Sequence, residues 1–192
     1  MEPHIAANDK IMFYKYLDKA TIYFEYGSGG STYQASIRPN INRVYSVESD
    51  NYWLEKVKQQ VNSDKVTFFY NEMDAQPNTW GHPGNNSTPA QRIKYSTHMQ
   101  VQLNKEEQQH IDLVLIDGRF RIACCLKCFD VITHDCFIAF DDFLDRPHYH
   151  IVLEYFDIVE QTTDKRMVIL QKKKGITSIP IDIIKKYELV PG

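Results

Sequence analysis

Two kinds of apolar segment alternate along the chain: short unbroken runs rich in aromatic and β-branched residues, and stripes in which apolar side chains recur every third or fourth position. Such runs predict strands buried on both faces, and the stripes predict helices with one covered face. The strands fall at about 21–26, 43–48, 66–70, 111–116, 136–140, 158–163 and 166–172, the last two separated by Asp164-Lys165. Helices are predicted over 4–19, from Ser31 to a stop at Arg38-Pro39, from an N-cap at Asp50 through Val61, over 119–131 and near 148–157. A short helix follows Pro180. The polar stretch 71–109, rich in Asn, Gln, Pro and Gly, has little periodicity up to Thr88 and reads as a long loop, functional or unstructured. Alternating strands and helices imply one α/β domain over 1–192, with N-terminal helix 4–19, core 20–172 and tail 173–192, built on a mostly parallel sheet covered on both faces.

Composition narrows the function classes. A length of 192 residues suits one well-packed domain, and a net charge of −3 argues against a dedicated nucleic-acid surface. The one basic run, Lys172-Lys173-Lys174 before Gly175, reads as a solvated turn. No apolar run approaches the roughly 20 residues of a membrane span, and the polar N-terminus lacks the apolar core of a signal peptide. A cytoplasmic protein without membrane or nucleic-acid partners is expected; a homodimer stays open. Cys124, Cys125 and Cys128 lie in a helical pattern and Cys136 in a strand, so they read as buried reduced thiols rather than a zinc site.

The chemistry starts at Ile22-Tyr23-Phe24-Glu25-Tyr26-Gly27-Ser28-Gly29-Gly30-Ser31-Thr32, where an apolar strand ends in an acid and passes through a glycine-rich turn into a helix. Glycines there permit positive φ and close approach to a ligand, and the helix start offers unpaired N–H groups. The next strand ends in Glu48, placed to accept hydrogen bonds from a ribose. These features describe a nucleoside crevice. The dinucleotide fingerprint wants a third glycine where Thr32 stands, and the Glu25 carboxylate would repel a pyrophosphate but suit the ammonium of S-adenosylmethionine (SAM). NAD is therefore disfavoured.

E-x-G-x-G-G-S followed by V-E resembles motifs I and II of the class I SAM-dependent methyltransferases. That resemblance implies a three-layer Rossmann-like fold, a mostly parallel seven-stranded sheet with an antiparallel closing strand. SAM would be held by Glu25, Gly27, Ser28, Gly29, Gly30, Ser31, Glu48 and Asp117, with Asp74 where this fold contacts adenine and Trp80 covering the site. The strand ends Ile116-Asp117-Gly118 and Asp141-Asp142 further resemble the small metal-dependent sugar O-methyltransferases. In those families such aspartates hold a divalent ion that grips a vicinal diol, so Asp117, Asp141 and Asp142 become expected ligands for Mg2+ or Mn2+. Asp117 and Asp141 become catalytic candidates with them. His148, and less directly His150, could take the hydroxyl proton at neutral pH. Arg119, Arg121, Asp142 and His150 are candidate substrate contacts, although helix-start salt bridges would equally account for the two arginines. The phrase Ile116-Asp117-Gly118-Arg119-Phe120-Arg121 with Arg146-Pro147-His148-Tyr149-His150 also resembles small stand-alone methyltransferase-like proteins, a wider set that includes enzymes acting on glycans of large DNA viruses. The expected function is SAM-dependent O-methylation of a sugar or glycan hydroxyl. Another polyol or catechol-like acceptor, or a catalytically silent SAM-binding module, are the alternatives.

Overall fold

Four strands make the centre of the sheet because their sequences are apolar on both faces: β1 (Ile22–Tyr26), β2 (Arg43–Glu48), β4 (Leu113–Ile116) and β5 (Phe137–Phe140). In the computed structural model, which describes residues 1–163 and 166–192, they join β3 (Val66–Tyr70), β6 (Phe156–Gln161) and β7 (Val168–Lys172). The seven strands run in the order β3-β2-β1-β4-β5-β7-β6. Pairing is parallel throughout except that β7 lies antiparallel between β5 and β6. The expected antiparallel closing strand is therefore present. The Asp164-Lys165 turn expected between the last two strands lies outside the described residues.

The period of two along each strand sorts the core into two layers. Tyr23, Leu113, Leu115, Ala139 and Ile169 face α1 (Ala7–Leu17) and α2 (Gly30–Ser36), meeting Met12, Phe13, Leu17 and Ala35. Phe24, Val114, Ile116, Ile138 and Leu170 face the opposite layer, built on α4 (Pro89–Gln102), α6 (Arg121–Cys128) and α7 (Ile181–Tyr187). Helix α3 (Asn51–Gln60) packs beside α2 and starts at Asp50, whose side chain accepts from the Trp53 N–H as expected of an N-cap.

The 71–109 stretch departs from expectation, because its second half is helical: α4 is followed by α5 (Lys105–Gln109). The buried side of α4 carries Tyr95, Ser96, His98 and Met99, so half of it is polar and the apolar stripe is weak. His98 is accommodated by a 3.0 Å hydrogen bond with Asn71 Oδ1 and by stacking on Phe69. The helix start was nevertheless written as Thr88-x-x-Gln91, a reciprocal capping box in which the Thr88 N–H donates to Gln91 Oε1 at 2.7 Å. The segment 147–154 is a 3₁₀ turn rather than an α-helix, burying Tyr149 and Val152 at a spacing of three. All four cysteines are buried and free, in line with the reduced-thiol reading. Among the described residues no helix is long and apolar enough to cross a membrane.

The C-terminal helix is held by a largely buried ion pair, Lys127 Nζ to Glu188 Oε1 at 2.5 Å, with the same ammonium donating to Ser96 Oγ. Removing one partner strands the other charge. Glu188→Ala should cost about 3 kcal/mol in urea unfolding, and Lys127→Met combined with Glu188→Leu should recover most of it. Equal stability of wild type and Glu188→Ala would show the pair to be solvated.

Candidate functional site at the carboxyl ends of the strands

Glu25 governs the turn after β1. Its carboxylate is wholly buried and accepts from Tyr23 OH at 2.7 Å, Ser31 Oγ at 2.6 Å, Ser46 Oγ at 2.7 Å and, by a short contact, Thr32 Oγ1. Burial raises its pKa, while the four hydroxyls pull it back down. The expected contact to a methionine ammonium is thus replaced by an internal role, and the Ser31 hydroxyl is spent on the same carboxylate. Thr32, standing where a dinucleotide site has glycine, also accepts from the Gly29 N–H at 2.8 Å and closes the start of α2.

The glycines differ in what they face. Gly27 has φ +98°, and a Cβ there would come within 2.9 Å of the Gly118 backbone, so the β1 and β4 loops touch through their glycines. A Cβ on Gly29 would meet only Trp53, at 3.9 Å. Gly30 lies under the backbone of Glu2-Pro3, where any side chain would collide, so it faces the N-terminal segment. Of the three glycines, Gly29 is the one with open space beside its Cα.

Glu48 closes the other side of this turn. Its carboxylate accepts N–H bonds from Ser28 at 3.0 Å, Ser49 at 2.7 Å and Asp50 at 2.8 Å, leaving one of about four acceptor directions for a ribose hydroxyl. Burial pushes its pKa up to about 7 against those three donors. Gly81 packs over it, with its carbonyl accepting from Ser49 Oγ at 2.9 Å. Asp74 is turned into its own loop, where Oδ2 accepts from the Asn86 N–H at 2.9 Å. Trp80 is 72% exposed, and its ring centroid lies 5.3 Å from that of His4.

At the ends of β4 and β5 the expected aspartates are joined by arginines. Arg121, buried, donates to Asp117 Oδ1 at 3.0 Å, Asp142 Oδ2 at 3.3 Å and the carbonyls of Gly118 and Asp141. Asp142 also accepts from Arg146 at 2.7 Å and, by a short contact, from Arg166. Those arginines hold the Asp142 carboxyl below its ordinary range despite burial. The three-aspartate metal set is therefore not assembled: Asp142 is saturated by guanidinium groups, and Arg121 bridges it to Asp117 where a cation would have to sit. Among the described residues no three His, Cys, Asp or Glu side chains converge as a metal site would require.

Asp117 and Asp141 remain as a pair of neighbouring carboxyls. Burial first, and then mutual repulsion, raise Asp141 to about 8. With both ionised, the buried Asp141 Oδ1 has no donor; one proton shared between the two carboxyls supplies it. His148 is exposed on the outer side of the 3₁₀ turn, and His150 packs its ring 5.2 Å from that of Phe143. The residue this turn buries is Tyr149, whose hydroxyl accepts from Arg146 at 3.0 Å. The histidine at the rim is His82, whose Nε2 accepts from Arg119 Nη1 at 2.7 Å. Residues Tyr149 and His82 carried no sequence signal beyond their neighbourhood to the rim motifs.

Backbone strain marks the same rim. Among the described residues, the non-glycine positions at positive φ are Asp74, Asn78, Trp80, Phe120 and Asp142, and each follows the carboxyl end of β3, β4 or β5.

Glu48 gives a pH test. Its folded pKa lies above the unfolded value, so the native state holds the proton longer and its contribution to stability falls as pH rises from about 4.5 to about 7. Relative to Glu48→Gln, the wild type should lose up to about 1.4 kcal/mol per pH unit across that window, read from urea titrations. Parallel stability curves for the two proteins would contradict a buried, proton-retaining Glu48.

No family model and no curated protein matches the chain. Solved structures do. A methyltransferase-like protein from Silicibacter pomeroyi DSS-3 superposes with a TM-score of 0.85 at 26% identity, covering 99% of this chain and 98% of that one. The ribosomal protein L11 methylase of Lactobacillus delbrueckii subsp. bulgaricus gives a TM-score of 0.58 at 11% identity over 86% of this chain and 76% of that one. A candidate caffeoyl-CoA O-methyltransferase from Staphylococcus aureus gives 0.54 at 15% over 90% and 86%. The last two likenesses concern the fold alone. The chain has the Rossmann-like fold of the class I SAM-dependent methyltransferases and is similar over its whole length to a methyltransferase-like protein.

Proposed function

We propose that the protein is a SAM-dependent O-methyltransferase whose acceptor is a hydroxyl of a sugar, glycan or other small polyol. The observation that carries the reading is the Asp117–Asp141 pair, two neighbouring carboxyls at the ends of adjacent parallel strands, with Gly118 directly against Gly27 of the glycine turn. SAM supplies the electrophilic methyl group when bound. Gly29, where a side chain would meet only Trp53, and the remaining acceptor direction of Glu48 would hold it.

The chain's own contribution is position and proton transfer. An acceptor hydroxyl beside the pair would give up its proton to a carboxylate of the pair, while bound SAM would supply the methyl group and leave as SAH. Asp141, raised to about 8, holds the shared proton at neutral pH and becomes a far stronger base than an ordinary aspartate once that proton is lost. Arg121 fixes Asp117 by a 3.0 Å hydrogen bond and keeps the pair from separating. No step is assigned to a metal ion, because guanidinium groups occupy the carboxylate positions it would need.

Calorimetry tests the cofactor: SAH should bind and NAD should not. Glu48→Ala should weaken SAH by about 1–3 kcal/mol, and Gly29→Val should abolish binding in a folded protein. Methyl transfer from labelled SAM to a panel of sugars and sugar acids tests the chemistry. Asp141→Asn should lower kcat by about 10²–10⁴-fold with SAH affinity kept, and EDTA should leave turnover unchanged. Failure of SAH to bind would sink the reading. Turnover lost in EDTA and restored by magnesium would return the cation to the site.

A further inference from the structure

Among the described residues, Arg119 is the one arginine of the β4–β5 rim left out of its ion pairs. Arg121 serves Asp117 and Asp142, Arg146 serves Asp142, and Arg166 serves Asp142 and lies 4.0 Å from Asp9. Among the described residues, no carboxylate oxygen lies within ion-pair distance of Arg119. Its Nη1 donates to the His82 ring, and its Nε is buried with no partner. Accepting that bond requires an unprotonated Nε2, so in a neutral His82 it offsets none of the guanidinium charge. Buried polar groups in folded proteins are nearly always satisfied, and an exception asks for a ligand.

From this geometry, and resting on the reading of the rim as the acceptor end, we infer that the acceptor is an anion whose carboxylate or phosphate is gripped by Arg119. A planar guanidinium matches either group through parallel N–H bonds. His82 is a positioning residue, holding the guanidinium by Nη1 so that Nη2 stays available. Asp117 and Asp142 do not repel such a ligand strongly, since each is already bonded to guanidinium. Burial and the nearby Arg121 lower the pKa of Arg119, as fits a cation short of negative partners. Tyr95, whose hydroxyl accepts the Arg119 N–H at 3.4 Å, fixes the backbone from which the side chain leaves.

SAM carries a carboxylate of its own, so the experiment separates the two sources. SAH-saturated protein is titrated with inorganic phosphate, with D-glucuronate and with D-glucose as the uncharged counterpart. Phosphate and glucuronate should bind and glucose should not; Arg119→Gln should weaken the anions at least about tenfold while SAH affinity stays within about twofold. His82→Ala should weaken the anions to a smaller extent, having lost only the steering contact. In the wild type, phosphate should slow phenylglyoxal modification of Arg119, read by peptide mass spectrometry, which keeps the test usable if the Arg119 variant does not fold. Glucose binding as well as glucuronate, unchanged anion affinity in Arg119→Gln, or modification unaffected by phosphate would overturn the inference. A large loss of SAH affinity in Arg119→Gln would reassign the residue to the cofactor carboxylate. Absent SAH binding by wild type would instead remove the methyltransferase reading itself.

Discussion

The site depends on a buried carboxylate. Glu25 lies at the centre of the parallel sheet with no solvent exposure, where an ionised group without partners would cost several kcal/mol. Hydroxyls from β1, β2 and the first turn of α2 converge on it, so three elements are fixed to one another through two oxygens. Moving α2 away would strand that charge. The path of residues 27–29 follows from this, because the chain must leave Glu25 and reach Ser31 with both side chains on the same carboxylate. The Ser28 N–H is then delivered to Glu48, and the second acidic strand end is locked to the first.

What was legible in the sequence was what short-range patterning controls. Strands β2 and β3 fall on their expected limits, and the Asp50 cap and the helix after Pro180 are present, because each is set by neighbours within a turn or by an unbroken apolar run. Helix α4 was hidden because its covered face contains Ser96 and His98, which bond to Lys127 and Asn71, partners that periodicity does not see. The expected strand at 111–116 begins only at Leu113, because Asp112 is used as a clamp, its carboxylate accepting the N–H groups of Thr21 and Ile22 at 2.6 and 2.8 Å.

The acidic rim was legible as residues but not as charge. Aspartates at strand ends announce themselves in the sequence, and Arg121 was legible as a helix-start salt-bridge partner; Arg146 and Arg166, which also neutralise Asp142, were not, since Arg166 precedes β7. A cluster that reads as a cation site one residue at a time becomes, once folded, a lattice of ion pairs with one guanidinium to spare. In a 3₁₀ turn with three residues per repeat, burying Tyr149 and Val152 leaves His148 on the outside, whatever its distance in sequence from the aspartates.

The loop 71–88 joins the two halves of the crevice. Gly81 rests on Ser49 and Glu48 at the β2 end, and the next residue, His82, meets Arg119 at the β4 end. Consecutive Cα atoms are fixed about 3.8 Å apart by a planar peptide, so the two contacts leave the loop at neighbouring points. The same loop carries Asp74, Asn78 and Trp80 at positive φ, a conformation held by contacts such as that of Asp74 with the Asn86 N–H. Gly81 and His82, adjacent in sequence, thus bring the β2 end and the β4 end of the crevice onto one loop.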